Sequence, residues 1–186
     1  MDKLSKKSDK ELVAMFSENK ATRDAAFKEI YRRHAARIHA YCLKIVYNQQ
    51  QAEDIFQETF IRFYEKVKSN YKKGSIAGFL VTIARNLCLN YKRDKKHTVP
   101  FEDFYPVMDQ QMDSKEETYK LISMAIDLLE FDYKEPLVLR LYDGLNYNDI
   151  SQICEISPEN ARKRVFRAKQ KVRKILEPYL NEIYDK

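Results

Sequence analysis

The stretch SPENARKRVFRAK, residues 157–169, has the pattern of a capped helix with one apolar side and one basic side. Ser157 can accept hydrogen bonds from the free backbone amides of the first turn, and Pro158 fits the first helical position. Apolar residues then recur at helical spacing, which predicts a stripe that packs against a core. The members of this stripe are Ala161, Val165, Ala168 and Val172.

A basic row lies beside this stripe. Its members are Arg162, Lys163, Phe166 and Arg167. Such a row is typical of a recognition helix in the DNA major groove, where arginine binds guanine and an aromatic edge contacts a thymine methyl group. From Pro158 to Lys174 the one acidic residue is Glu159, whereas an ordinary solvated helix mixes both signs. Phe166 has a competing interpretation as a core or interdomain residue.

A short helical pattern precedes the basic helix. It runs from Asn146 to Cys154, and a turn over Glu155 and Ile156 separates the two helices. This arrangement predicts a helix-turn-helix. Generic helical hairpins share the outline but seldom carry such concentrated arginines.

The composition favours a helical protein with a polyanionic partner. The chain has 186 residues, a formal net charge of +6 and only 3 glycines and 5 prolines. Long segments without turn signals predict that helices dominate. The net charge suits nucleic acid, although a merely basic globular protein would have the same charge.

The chain shows no sign of catalysis, secretion or membrane insertion. Cys42, Cys88 and Cys154 are far apart and odd in number, which favours free thiols in a reducing cytosol. No apolar segment approaches the length of a membrane span, and the polar N-terminus does not look like a signal peptide. His34 has no metal-ligand spacing and is interpreted as a satisfied helix residue. We expect a cytoplasmic protein that is not an enzyme and has no metal or cofactor.

The fold class predicted from these patterns is all-α, with two small helical domains joined by a flexible linker. The first domain is expected over residues 9–96 and is a helical bundle that opens with a capping box at Ser8. The linker covers residues 97–113 and is acidic and proline-containing. Fully extended, it would reach at most roughly 60 Å. The helix-turn-helix domain covers residues 114–180.

Apolar periodicity predicts the buried sides of the helices. In the second domain, Leu128 is expected inside, Pro136 in the first turn of a helix opened by Asp132, and Gly144 at its left-handed end. In the first domain, one side of the long second helix is expected to carry Phe27, Ile30, Tyr31, His34, Ile38, Tyr41 and Ile45. The fourth helix is expected to bury Phe79, Leu80, Ile83, Leu87 and Tyr91.

Three segments together resemble one family. Residues 52–60, AEDIFQETF, resemble the core-binding helix of extracytoplasmic-function (ECF) sigma factors, a group of the sigma-70 family. Residues 79–86, FLVTIARN, resemble their next signature, and Tyr133–Leu176 resembles their second conserved domain. The segments follow the family's order and spacing and cover the chain from about Asp9.

The resemblance implies an RNA polymerase sigma factor that binds core polymerase, recognises the −10 and −35 promoter elements and helps to open the DNA. The residues implied for core binding are Glu53, Asp54, Gln57 and Glu58, facing the clamp coiled coil of the largest subunit. Those implied for the −10 element are Tyr71, Lys72, Lys73, Ser75, Asn86, Asn90 and Arg93. Those implied for the −35 element are Arg162, Lys163, Phe166 and Arg167, with phosphate contacts from Arg164, Lys171 and Lys174. An anti-sigma factor is a further implied partner.

Each implied site has a simpler alternative. The acidic residues of 52–60 could form a solvated face whose negative charges interact favourably with the helix dipole. Residues 71–75 could be an ordinary polar loop. The basic residues near Arg93 could simply interact favourably with the dipole at the C-terminus of their helix. A DNA-binding regulator that never joins polymerase would also use the helix-turn-helix, but it would leave residues 52–60 and 71–86 without a role.

The chain departs from the family pattern at a few positions. It has no tryptophan, and Phe79 stands where the family usually has one. Asn160 and Ala161 replace a usual Thr-Val pair at the start of the basic helix, and Lys163 replaces a common serine. These changes leave the family resemblance intact and bear on the exact promoter sequence.

Overall fold

The structure is a computed structural model that describes residues 4–71, 75–94, 114–141 and 144–184. The described secondary structure is helical throughout, which confirms the all-α prediction. The predicted linker lies outside the described residues. The helices are α1 (Asp9–Ala14), α2 (Lys20–Val46), α3 (Gln49–Asn70), α4 (Ile76–Asp94), α5 (Ser114–Asp127), α6 (Phe131–Leu141), α7 (Tyr147–Cys154) and α8 (Pro158–Tyr184).

The described residues form two compact units, of which the first is built from α1 to α4. Helices α2, α3 and α4 pack on one another, and α1 with the 3₁₀ turn Met15–Ser17 packs on α2. Because each helix carries apolar residues at a period of three to four, one side of each enters a shared core. The largest fully buried side chains of this core are Tyr41, Phe16, Phe63, Leu12, Ile30, Ile38, Ile45, Ile76 and Leu80.

Hydrogen bonds hold α1 to α2. Ser8 and Glu11 form the predicted capping box. The Asp9 carboxylate then accepts from Arg33 Nη1 and pairs with His34 Nε2, both at 2.8 Å. Arg33 Nη2 also donates to the carbonyl of Leu4 at 3.1 Å. The buried His34 is therefore a satisfied helix residue, as predicted, and the packed unit includes residues before position 9.

Glu29 is a buried carboxylate in the same network. It lies one turn before the arginines on α2 and is only 5% exposed. Arg32 Nη2 and Arg33 Nε each approach Glu29 Oε1 at 2.7 Å. These hydrogen bonds favour the ionised form and lower the pKa of Glu29 to about 2.

The second unit surrounds α8, which packs against α5, α6 and α7. Asn146 caps α7 by accepting from the amides of Asn148 and Asp149 at 2.9 Å. Glu155 then ends α7 in the left-handed conformation with φ of 57°, and Ser157 Oγ accepts from the Asn160 amide at 3.2 Å. These local bonds confirm the predicted turn and cap. The buried apolar residues of the unit include Ala125, Ile126, Leu137, Val138, Leu139, Ile150, Ala161, Val165 and Ala168.

Three predictions about burial are wrong. Tyr31 is 41% exposed, because it lies at the rim of the core with its ring 4.8 Å from that of Phe60. Leu128 is 64% exposed and directly follows the end of α5, whereas the next residue, Leu129, is buried. In α4 the fully buried positions centre on Leu80, and Phe79, Ile83, Leu87 and Tyr91 are only partly buried. The small or compact side chains that face α2 and α3 there are Val81, Ala84 and Cys88.

The predicted position of Pro136 is also wrong, and the prediction for Gly144 is right in its conformation only, because α6 ends at Leu141. Helix α6 begins at Phe131, because the Glu130 carbonyl already accepts from the Lys134 amide at 2.9 Å. Pro136 therefore lies in the second turn, where its missing amide leaves one backbone hydrogen bond unmade. Gly144 has a φ of +62°, a conformation that favours glycine.

Candidate nucleic-acid interface and polymerase-binding face

The predicted basic row lies on the open side of α8. Arg162, Lys163, Phe166 and Arg167 are all exposed, and the apolar stripe of the same helix is buried apart from Val172, which is partly buried. Phe166 is 62% exposed, so it has no core role. Helical geometry places Lys169, Gln170, Arg173 and Lys174 on the same open side. The structure thus brings the predicted row together. It extends the row with Lys169, Gln170 and Arg173, which the sequence assigned to no site, and with Lys174, a predicted phosphate contact.

Two of the predicted phosphate contacts lie on a flank of α8 and contact α6. Arg164 is about 200° around the helix from Arg162. Its Nη2 lies 3.3 Å from Asp132 Oδ2. Lys171, two turns further on, has its Nζ 3.3 Å from Glu130 Oε1 and 4.7 Å from the ring centre of Tyr133. These pairs are partly or well exposed and leave both cations able to exchange a carboxylate for a phosphate.

Tyr147, the first residue of α7, lies between α6 and the basic row. The guanidinium carbon of Arg162 lies 5.4 Å from the centre of its ring, and that of Arg140 lies 5.1 Å away. Beside them, Lys163 Nζ forms an ion pair with Glu159 Oε1 at 2.6 Å, and this hydrogen bond lowers the pKa of Glu159. Sequence reasoning missed Tyr147, whose only local signal is its place directly after the cap Asn146.

An acidic face lies on the outer side of α3 and consists of Glu53, Asp54, Gln57 and Glu58. Its members already have neighbours within the chain. Glu58 Oε1 accepts from Arg62 Nε at 2.6 Å. Gln57 Nε2 donates to Glu53 Oε1 at 3.1 Å, and Asp54 accepts from Gln51 at 3.2 Å. Because all four side chains remain partly or well exposed, the face can accept further hydrogen bonds.

Aromatic side chains border the acidic face. His39 on α2 contacts both the acidic face and the aromatic side chains. Its Nε2 lies 3.1 Å from Glu53 Oε2, and its ring centre lies 5.2 Å from that of Phe56. Phe56 and Tyr31 each contact Phe60, at ring-centre distances of 5.4 and 4.8 Å. The acidic face therefore rests on a packed support of α2 and α3.

The segment between α3 and α4 is described at its two ends. Tyr71 packs on Phe79 with a ring-centre distance of 5.7 Å. Burial, and then the charge of Asp9, raises the pKa of Tyr71. At the other end, Ser75 Oγ accepts from the Gly78 amide at 2.9 Å and so caps α4. The predicted −10 residues Lys72 and Lys73 lie outside the described residues.

Polar residues form a row along the outer side of α4. Asn86, Asn90 and Arg93 are all exposed and follow one another at spacings of four and three. Thr82 continues the row by one turn and was not predicted. The opposite side of the helix holds the fully buried Ala84 and Cys88. The −10 residues predicted on α4 thus share one accessible surface.

Other kinds of site lack support in the described part of the chain. Among the described residues, no group of three or more His, Cys, Asp or Glu side chains could hold a metal ion. None of the described helices combines the length and apolarity needed to cross a membrane.

Comparison with known proteins gives family matches in both units. The family profile Sigma-70 region 2 matches residues 30–98, and the profile Sigma-70, region 4 matches residues 119–172. The ECF RNA polymerase sigma factor SigE of Mycolicibacterium smegmatis is 30% identical over 168 residues, which cover 84% of this chain and 64% of SigE. The sigma factor SigM of Bacillus subtilis is 28% identical, over 83% of this chain and 97% of SigM.

Solved structures share the fold. CnrH, solved in complex with the cytosolic domain of CnrY, has a TM-score of 0.67 at 17% identity, over 91% of this chain and 97% of CnrH. The sigma factor RpoE of Bartonella quintana, solved with the anti-sigma factor NepR, has a TM-score of 0.65 at 21% identity, over 81% of this chain and 96% of RpoE. With both sigma-70 regions in order along one helical chain, this protein belongs to the ECF group of the sigma-70 family of RNA polymerase sigma factors.

Proposed function

We propose that this sigma factor joins core RNA polymerase through residues 9–96 and reads the −35 element through residues 114–180, with residues 97–113 joining the two domains. The observation that carries the proposal is the exposed row of Arg162, Lys163, Phe166 and Arg167 on a helix whose opposite side is buried. This row has the right chemistry for base edges in the major groove.

The acidic face of α3 is the proposed contact with core polymerase. Its carboxylates and the central amide suit an arginine-rich helix of the clamp through charge-assisted hydrogen bonds. A partner arginine would compete with Arg62 at Glu58 and with His39 at Glu53, whose distances are 2.6 and 3.1 Å. Both intrachain pairs are partly exposed and therefore weak, so exchange costs little.

The −10 element is the proposed ligand of the surface formed by α4 and the segment before it. Tyr71 offers a ring for stacking, and Ser75 fixes the start of α4. Asn86 and Asn90 can hydrogen-bond to bases, and Arg93, together with Lys72 and Lys73, can bind phosphates. Extracting a base costs a few kcal/mol, and stacking returns about 1–3 kcal/mol.

Regulation by an anti-sigma factor is part of the same proposal. The similar fold of RpoE was solved with the anti-sigma factor NepR bound. A protein that covers either unit would keep the chain off polymerase when its promoters are not required. Because its target is polymerase on the chromosome, we place the chain in the cytoplasm.

Run-off transcription with purified core polymerase tests the proposal. The chain should co-purify with core polymerase, and the two together should produce transcripts from defined promoters that core polymerase alone does not make. Binding to duplex DNA without polymerase association would instead identify a DNA-binding regulator that uses only the helix-turn-helix.

A further inference from the structure

The ring of Tyr147 lies under a side chain that is assigned to promoter reading. The distance from the Arg162 guanidinium carbon to the ring centre is 5.4 Å, and Arg140 of α6 lies at a similar 5.1 Å. Both distances are within the roughly 6 Å at which a cation is attracted to an aromatic face. Tyr147 is half-buried, whereas Arg162 is exposed. A fixed ring therefore holds a long and otherwise mobile side chain.

The two uses of the guanidinium group are compatible. Attraction to a ring engages its flat face, and bidentate binding of a guanine engages the N–H groups along its edge. An arginine that rests on a ring can therefore present its donors to a base without leaving the ring. Ordering the side chain before DNA arrives reduces the rotamer entropy that would otherwise be lost on binding.

The start of α7 makes the ring a rigid support. Asn146 caps the helix by accepting from two backbone amides at 2.9 Å. One turn later, Ile150 is fully buried, which fixes the orientation of the helix within its unit. Arg140 adds a second positive group at the same ring, so the attraction toward the DNA backbone increases at this point.

We propose that Tyr147 is a positioning residue for promoter recognition, which orients Arg162 for reading the −35 element. This inference rests on the proposed role of α8 and adds a residue that acts through Arg162. Replacing the ring should weaken binding of the polymerase holoenzyme to its promoter by about two- to fivefold, the range expected for an exposed cation–aromatic contact.

A double-mutant cycle with Arg162 separates positioning from packing. Promoter affinity is measured by competition for the holoenzyme, formed with the full chain, using Tyr147→Leu, Arg162→Gln and the combined variant. Tyr147→Leu should cost about two- to fivefold in the presence of Arg162 and close to nothing in the Arg162→Gln background. Tyr147→Phe keeps the ring and should restore affinity to near the wild-type value.

Tyr133 offers a matched control. Its ring lies 4.7 Å from the ammonium group of Lys171, on the flank of α8 that contacts α6. Tyr133→Leu removes the same kind of contact from the same domain but leaves the basic row untouched, and it should not change discrimination between the promoter and a template with its −35 block replaced. If Tyr147→Leu melts below the assay temperature, Tyr147→Gln provides the same cycle.

Two results would overturn the inference. One is an equal loss from Tyr147→Leu with and without Arg162, which is the signature of a packing role. The other is no loss at all. If the wild-type holoenzyme shows −35 dependence and the cycle shows no coupling, only the positioning role fails. If the wild-type holoenzyme binds equally well with and without the −35 element, the proposed function of α8 is itself refuted.

Discussion

Arg167→Ala should reduce promoter use selectively. Arg167 is exposed in the interior of α8, and the described structure assigns it no ion pair. Alanine is a strong helix former, and surface substitutions of this kind usually change the free energy of unfolding by no more than about 0.5 kcal/mol. The fold should therefore survive, and any large effect must come from DNA.

The expected magnitude follows from the chemistry of base reading. A bidentate contact to the correct base is worth about 1–3 kcal/mol, which corresponds to roughly 5- to 150-fold in promoter affinity. Arg164→Ala is the matched control, because Arg164 lies on the flank of α8 with its Nη2 3.3 Å from Asp132. Loss of a phosphate contact there should weaken binding about equally on all templates.

The assay compares run-off transcription from the promoter with that from a template whose −35 block is replaced. Wild-type chain and Arg164→Ala should both discriminate between the two templates, and Arg167→Ala should lose most of that discrimination. A uniform loss for Arg167→Ala on both templates, or unchanged discrimination, would refute the assignment of this residue to base reading.

Three further sets of substitutions test other parts of the structure. Asp54→Lys with Glu58→Lys should lower the affinity for core polymerase in a competition assay without unfolding the chain, and unchanged affinity would discredit the acidic face. Glu29→Gln should make the free energy of unfolding depend less on pH in the acid range. The pKa of Glu29 in the folded chain, about 2, is below its usual value, so ionised Glu29 stabilises the fold above about pH 4.5. This contribution disappears as the pH falls toward 2. Ser157→Ala should lower the free energy of unfolding by about 1 kcal/mol in a urea titration, whereas Ser157→Gly should cost only a few tenths.

Features set by neighbouring residues could be predicted from the sequence. The caps at Ser8 and Ser157 were predictable because each side chain bonds to an amide three residues further on. The exposed basic row followed from helical spacing alone. Gly144 was predictable because few other residues adopt a positive φ without strain.

Features that depend on contacts between helices could not be predicted. The pairing of Arg164 with Asp132 requires α6 to lie against that flank of α8, and no local sequence pattern predicts this packing. The same holds for His39 beside Glu53 and for Arg162 over Tyr147. A charged residue can lie on any of several sides of an amphipathic helix, and tertiary packing determines which neighbouring residues it contacts.

The start of α6 shows a second kind of limit. Asp132 is a good cap by residue type, yet the helix starts before it, because the Glu130 carbonyl accepts from the Lys134 amide. Helix ends are decided by small differences in free energy, which buried contacts outweigh. Lys134 is 3% exposed and its ammonium group contacts the carbonyl of Asp127, so packing fixes this end of the helix.

Mapping the 5′ ends of transcripts made on genomic DNA tests the central claim most directly. Core polymerase with this chain should start at a set of sites absent with core polymerase alone, and those sites should share two sequence blocks, one near −10 and one near −35. With the Arg167→Ala variant, the mapped start sites should share the upstream block less strictly and still share the downstream one. If the chain adds no start sites to those of core polymerase, it does not direct initiation, and the account is contradicted.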